Sequence, residues 1–410
     1  MTFENLGLQS RLVRILAAQG INEPTPIQAQ AIPHALAGRD VMGIAQTGTG
    51  KTAAFGLPMA HRLLSAGSKP DPKTVRGLIL APTRELVKQI ADSIRAFTEG
   101  THLKVGMVVG GASINAQTNR LARGTDLLVA TPGRLIDLLD RKAVRLDVTQ
   151  YLVLDEADQM LDMGFIHALR RIAPLLPKER QTMLFSATMP KLMADLSKTY
   201  LRDPVRVEVS PPGKPADKVT QALHFVEQAS KTQLLVEHLD AHREDLALIF
   251  TRAKHGADRL MKALEREGFA VGAIHGNKSQ GQRDRAIKAF RNGELKALVA
   301  TDVAARGLDI PGVRHVYNFD LPNVPDNYVH RIGRTARAGN DGRAVAYCAP
   351  GEMSELQAIQ KTMGHAIPVL GGSPWSAPRS APANTPGKSR KSAPKSKPRQ
   401  RRRSRAKQAA

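Results

Sequence analysis

Ala45-Gln46-Thr47-Gly48-Thr49-Gly50-Lys51-Thr52 is the stretch from which the fold can be read. It follows the apolar run 41–45 and opens a helical pattern, so a glycine loop joins a strand to a helix. Gly48 and Gly50 let successive backbone N–H groups wrap a phosphate without a Cβ in the way. Lys51 brings charge to the outer phosphates, Thr52 offers a hydroxyl to Mg²⁺, and the helix turns its positive end toward the same anion. This is a P-loop that opens with Ala45 where the general pattern has glycine. Farther along, the apolar run 151–154 ends in Asp155-Glu156-Ala157-Asp158. Asp155 is placed to hold Mg²⁺, partly through water, and Glu156 to orient or deprotonate an attacking water. Alone, Asp-Glu-x-Asp reads as a solvated turn after a strand. Beside a P-loop it reads as the second half of a nucleoside triphosphate site.

Around these two motifs, strand-length apolar runs alternate with helical patterns. The runs 41–45, 77–81, 105–109, 126–130, 151–154 and 182–185 read as buried parallel strands, and segments such as 84–97 as crossover helices. Ser210-Pro211-Pro212-Gly213-Lys214-Pro215 continues neither periodicity and reads as a linker. A second set follows at 222–226, 247–251, 270–275, 297–300, 315–319 and 342–348. The expected architecture is α/β, two tandem parallel-sheet domains of similar size. No short internal repeat is visible.

Charge points to the partner. The 410 residues carry 60 Lys+Arg against 37 Asp+Glu, a net +23, so the natural partner is a polyanion. Seven arginines, five lysines and no acid lie between Gly371 and Ala410, in a segment of Pro, Ser and Ala without periodicity. That composition predicts a disordered tail, read as a tether for nucleic acid. No apolar run reaches the ~18 residues that span a bilayer, and the first residues do not read as a signal peptide. Cys348, the single cysteine, reads as a small buried hydrophobe, and a reducing, cytoplasmic setting is expected. No Cys/His spacing suggests zinc. Met160 and Met163 read as core, and Trp375 as solvated.

The ordered motifs from Phe3 to about Gly364 resemble the DEAD-box RNA helicases. Phe3 and the segment 20–28 resemble the Q motif. The resemblance implies that Gln28 reads the adenine edge and Phe3 stacks on the base; an amide can donate to one purine atom and accept from the exocyclic amine at once. Pro82-Thr83-Arg84, Gly110-Gly111 and Thr131-Pro132-Gly133-Arg134 resemble the family's RNA-backbone motifs. Ser186-Ala187-Thr188 resembles the motif coupling hydrolysis to strand opening. In the second half, Arg252, Gln280 with Arg283, Thr301-Asp302 and His330-Arg331-Ile332-Gly333-Arg334-Thr335-Ala336-Arg337 resemble the remaining signatures, with Ala336 where glycine is commoner. The segments 110–114 and 275–280, with the tail, look most similar to the bacterial RhlE group.

The resemblance implies two RecA-like domains, with a Q-motif region at 1–30, the ATP-binding domain at 31–209, a linker at 210–218, the C-terminal domain at 219–368 and the tail at 369–410. It implies ATP and Mg²⁺, held by residues 45–52 with Phe3, Gln28, Asp155 and Asp302. Arg334 and Arg337, on one face if the segment is helical, would stabilise the transferring phosphoryl. RNA would lie on residues 82–84, 110–111 and 131–134 with Arg252 and Thr301. Asp158, Ser186, Thr188 and His330 would couple the domains, with His275 in a similar role. Aromatic residues make up 4% of the chain, too few for a stacking platform, so backbone gripping with weak sequence preference is expected. Two readings compete with an unwinding enzyme: an ATP-gated RNA clamp, and a translocating DNA helicase, against which Gln28 and the 155–158 box argue. Ribosome assembly or RNA decay would supply protein partners.

Overall fold

The computed structural model describes residues 2–46, 48–67, 69–189, 191–209, 219–305, 308, 310–336 and 341–375. The expected linker, Arg337, Thr47 and the chain beyond Trp375 lie outside these residues. Met1–Trp375 forms one compact unit built on two seven-stranded sheets.

The first lobe runs α1 (Ser10–Ala18), α2 (Pro26–Leu36), β1 (Val41–Ile44), α3 (Lys51–Ala66), β2 (Val75–Leu80), α4 (Arg84–Phe97), β3 (Val105–Val108), α5 (Ile114–Leu121) and β4 (Thr125–Ala130). It continues through α6 (Pro132–Asp140), β5 (Tyr151–Leu154), α7 (Ala157–Asp162), α8 (Ile166–Ile172), β6 (Gln181–Ser186), α9 (Lys191–Tyr200) and β7 (Val205–Glu208). The second runs β8 (Val219–Phe225), α10 (Lys231–Asp240), β9 (Leu246–Phe250), α11 (Lys254–Arg266), β10 (Val271–Ile274), α12 (Gln280–Arg291) and β11 (Ala297–Ala300). It ends with α13 (Asp302–Ala305), β12 (Val313–Asn318), α14 (Pro325–Ile332), β13 (Gly342–Cys348), α15 (Met353–Met363) and β14 (Val369–Gly371).

Every strand pair is parallel. The strands read as apolar runs because helices cover both faces of each sheet, leaving two apolar clusters per lobe. α4 shows how a crossover is fixed. Thr83 Oγ1 caps it by accepting from Leu86 N–H (3.2 Å), and Val87, Ile90, Ala91 and Ile94 recur at helical spacing on its buried face.

The sheet orders are β3-β4-β2-β5-β6-β1-β7 and β10-β11-β9-β12-β13-β8-β14. They are the same topology twice, a repeat that the sequence does not display. The edge strands β7 and β14 complete each copy, and neither stood out as an apolar run. β14 corrects the expected boundary, since residues 369–371, assigned to the tail, pair with β8. Trp375 is a second correction. Its Nε1 donates to the Cys348 carbonyl (3.0 Å), and the half-buried ring packs on the second lobe's core.

Candidate functional site

β1 delivers the P-loop to the carboxyl edge of the first sheet, and Gly50, at φ 92°, turns the chain into α3. A side chain on Gly50 would meet Gln28 Nε2 at 2.4 Å, so glycine serves close packing here as well as phosphate access. Lys51 is 6% exposed and its Nζ donates to the Ala45 carbonyl (3.0 Å) across the loop. The Thr49 hydroxyl donates to the Gln46 carbonyl (2.7 Å), which fixes the turn from within. Gln28 accepts from Thr25 N–H and donates to the Gly50 carbonyl, both at 3.0 Å. Its amide keeps one N–H and one lone pair, which suffice for the two bonds expected to adenine. Phe3 differs from expectation. It is 1% exposed in the first lobe's core, so the ring is not offered to a base in this conformation.

Asp155 and Glu156 leave β5 beside Lys51. Glu156 holds φ +52°, a conformation uncommon for a side-chain-bearing residue. Asp155 Oδ1 accepts from Glu156 N–H (3.0 Å). Burial pushes the Asp155 carboxyl up to about 6, Lys51 opposes that and Glu156 adds to it. Two buried carboxylates so close favour a bound cation. That electrostatic excess, with Thr52 partly exposed at the start of α3, fits Mg²⁺.

Asp158 begins a set of contacts that runs from the first lobe to the second. Its Oδ2 accepts from the Thr188 N–H and hydroxyl (2.8 Å each) and from Ala187 N–H (3.2 Å). Ser186 donates to the Thr188 carbonyl (2.7 Å). From the other lobe, His330 Nε2 lies 3.6 Å from the same Oδ2. Burial alone would raise the Asp158 carboxyl, but His330, Thr188 and Lys51 together hold it below the usual range. The structure thus brings all four expected coupling residues to one point. His275 is not among them. It pairs with Asp258 of α11 (3.0 Å) inside the second lobe, because the end of β10 faces α11 there.

Arg334 does not sit on a helix. α14 ends at Ile332, so Arg334 lies in the turn beyond it, and Ala336 takes φ +56°. Arg334 is 4% exposed and donates to the Leu308 (2.6 Å) and His330 (3.2 Å) carbonyls. A Cβ on Gly333 would stand 4.0 Å from Gln46 Oε1, so this turn abuts the P-loop. Arg331 chelates Asp302, with Nε to Oδ1 at 2.5 Å and Nη2 to Oδ2 at 2.8 Å, and lies 5.0 Å from the Phe250 ring centre. Asp302, expected to meet ATP, is therefore already engaged within its own lobe.

The backbone motifs of the first lobe share one groove. Thr83, Gly110, Thr131, Gly133 and Arg134 line a cavity of about 350 Å³, together with Met163 and Phe165. Pro82 and Arg84 belong to the same wall, Gly111 lies against the Arg84 guanidinium, and Arg134 donates to the Ala112 carbonyl (2.9 Å). Pro132 starts α6. Met160 is fully buried, whereas Met163 is half-buried at this cavity rather than in the core. Arg252 and Thr301 of the second lobe do not line it.

The site residues above omit a cross-lobe latch. Gln280 Oε1 accepts from Arg84 Nη1 (3.2 Å), Gln280 Nε2 donates to Glu85 Oε1 (3.0 Å), and Arg283 Nη2 pairs with Glu85 Oε1 (3.0 Å). Gln280 and Arg283 were legible as a signature, but nothing in their spacing names Glu85 as the partner.

Residues 25–196 match the DEAD/DEAH box helicase model, and residues 230–339 the helicase conserved C-terminal domain. The chain is 42% identical over 362 residues to the DEAD-box ATP-dependent RNA helicase CshA of Bacillus subtilis (strain 168), covering 88% of this chain and 72% of that protein. It is 41% identical to ATP-dependent RNA helicase CshA of Listeria monocytogenes, over 91% of this chain and 71% of that one. Among solved structures it is similar to S. cerevisiae Dbp5 bound to RNA and ADP BeF3, with a TM-score of 0.81, 32% identity and coverage of 90% and 95% of the two chains.

Proposed function

This chain belongs to the DEAD/DEAH box helicase family, and from that premise we propose how its own residues carry out ATP-dependent RNA unwinding. It is an RNA-dependent ATPase and helicase that uses ATP with Mg²⁺. The observation that carries the residue assignment is the seam, where His330 reaches Asp158 and the Gly333 turn abuts Gln46 of the P-loop.

In this reading, residues 45–52 cradle the phosphates and Gln28 reads adenine. Lys51 moves its Nζ from the Ala45 carbonyl to a phosphate oxygen. Thr52 and Asp155 would hold Mg²⁺, which would supply positive charge against the charge developing on the transferring phosphoryl. Glu156 orients the attacking water and takes its proton. Arg334 leaves the Leu308 carbonyl to approach the transferring phosphoryl, and Arg337 joins it. Asp302 positions Arg331 on this account. RNA lies along Pro82, Thr83, Arg84, Gly110, Gly111 and residues 131–134, and reaches Arg252 and Thr301 on the second lobe. Asp158, Ser186, Thr188 and His330 register whether the lobes are closed.

The boundaries 31–209 for the first domain and 219–371 for the second, extended to take in β14, are our assignment. We also place the chain in the bacterial RhlE group on the segments 110–114 and 275–280, although the relatives described above carry the CshA name. We also propose cytoplasmic work with ribosome-assembly or RNA-decay proteins; among the described residues no helix is long and apolar enough to cross a membrane.

The test is RNA-stimulated ATPase activity together with displacement of a short duplex. Lys51→Ala and Glu156→Gln should each lower turnover by about 10²-fold or more. Full activity in either variant rejects the site. A clamp would show RNA-stimulated hydrolysis without displacement at a matched ATPase rate.

A further inference from the structure

Beneath Arg252 the structure buries a charge network that the motifs do not use. Lys231, at the start of α10, is 0% exposed, a rare state for lysine. Its Nζ donates to Glu352 Oε2 (2.5 Å) and to the Phe319 carbonyl (2.7 Å), and lies 3.8 Å from Asp320 Oδ1. Glu352, 6% exposed, also accepts from Leu321 N–H (3.0 Å), Ala349 N–H (3.0 Å) and Arg252 Nη2 (3.3 Å). The same Nη2 donates to the Leu321 carbonyl (3.0 Å) and approaches Glu355 Oε1 (3.8 Å), while Arg252 N–H donates to Asp320 Oδ2 (2.9 Å).

One carboxylate therefore ties α10, the end of β9, the loop after β12 and the turn before α15 to a single arginine. Stability does not require this. An apolar pair of similar volume in place of a buried Lys–Glu pair is often neutral or better. A Lys–Glu pair does what an apolar pair cannot, because it presents a fixed anionic acceptor to Arg252. Arginine is rich in rotamers, and its side chain here is 39% exposed, so an unanchored guanidinium would sample many orientations. Anchoring through Nη2 leaves Nε and Nη1 to meet a phosphate. Lys231 Nζ places the opposite charge directly on the buried Glu352 carboxylate, which offsets the cost of burying it.

We propose that Glu352, supported by Lys231, is a positioning residue that holds Arg252 in the orientation that grips an RNA phosphate. This rests on the assignment of Arg252 as an RNA contact.

The test uses the full chain and a fluorescein-labelled oligouridylate with a non-hydrolysable ATP analogue. Binding is followed by anisotropy at several salt concentrations and compared with RNA-stimulated ATPase activity. Arg252→Ala and Glu352→Gln should each weaken RNA binding by roughly three- to tenfold, flatten the salt dependence by about one phosphate contact and raise the RNA concentration for half-maximal ATPase activity by a similar factor. Glu352→Gln should add nothing on an Arg252→Ala background. The double variant Lys231→Met, Glu352→Met keeps the interior filled, so it should preserve Tm yet bind RNA as weakly as Glu352→Gln. It also decides the matter if Glu352→Gln fails to fold. If Arg252→Ala weakens binding and neither Glu352→Gln nor the double methionine variant does, the positioning role is overturned and the Arg252 assignment stands. If Arg252→Ala itself leaves affinity and salt slope unchanged, both fall.

Discussion

Two residues at the seam sit in backbone conformations that their side chains resist. Glu156 at φ +52° and Ala336 at φ +56° are both in the left-handed region. On the proposed mechanism Glu156 needs its carboxylate, so the strain serves placement beside Asp155. At Ala336 no side-chain chemistry is at stake, and the conformation explains why glycine is the commoner residue there. Ala336→Gly should therefore stabilise the second lobe by about 0.5–1 kcal/mol, the left-handed penalty less glycine's added chain entropy. Equilibrium denaturation measures this, and an unchanged or lower midpoint would count against it. Asp158 tests the coupling path at the same scale. Asp158→Asn keeps the side-chain size but loses the charge facing His330 and one acceptor for Thr188. Duplex displacement should fall more steeply than RNA-stimulated hydrolysis, and equal losses would place Asp158 in the chemistry instead.

Among the elements, α10, β8, β12 and β13 bring histidines together away from the seam. His238 Nδ1 is 2.7 Å from the Tyr347 hydroxyl, the His224 and His238 ring centres are 4.8 Å apart, and His242 stacks on His315 at 4.3 Å. His242, Asp245 and His315 place candidate metal-binding atoms within 4.8 Å of one another, but the stacked rings aim their lone pairs in parallel rather than at one point. Burial first, then neighbouring positive groups, lowers His238 to about 4. His224 is lowered by burial and Arg343, and His315 by burial with Asp245 opposing. Between the ordinary value of 6.5 and about 4, the unfolded chain binds protons that folded His238 does not. Stability should thus fall as pH drops through that window and be retained above it. His238→Gln should flatten the dependence of Tm on pH between 7 and 4.5, and a slope identical to the parent chain's would refute the assignment. Trp375, just beyond β14, offers a further check on this lobe. Trp375→Ala removes the bond to Cys348 and the ring's packing, and should cost about 1–2 kcal/mol in the same unfolding measurement.

Across the whole molecule, Glu85 and Arg283 join the lobes beside the groove lined by Thr83, Gly110 and Arg134, while Asp158 and His330 join them near the P-loop. Glu85 and Arg283 side chains are 6% and 15% exposed, so solvent screens this pair only weakly. Reversing either charge should lower duplex displacement by about tenfold, equivalent to ~1.4 kcal/mol, and Glu85→Arg with Arg283→Glu should recover part of it. Failure of the swap to rescue either single variant would mean that the two residues act independently.

The nucleotide-binding loop, the acidic box and the parallel-sheet class were readable because each depends on neighbours in sequence. A glycine loop between a strand and a helix, and an acid at the end of an apolar run, are local patterns with local physics. The duplicated seven-strand topology was hidden because β7 and β14 are short edge strands, defined by the backbone of β1 and β8 rather than by their own composition. The partners of Asp158, Glu85 and Arg252 were equally hidden, since each is a charge met by a residue from a distant segment. Chain order supplies such groups and their types. Only packing sets which of them face each other at hydrogen-bond distance, because burial turns an otherwise solvated charge into one that must find its counterpart.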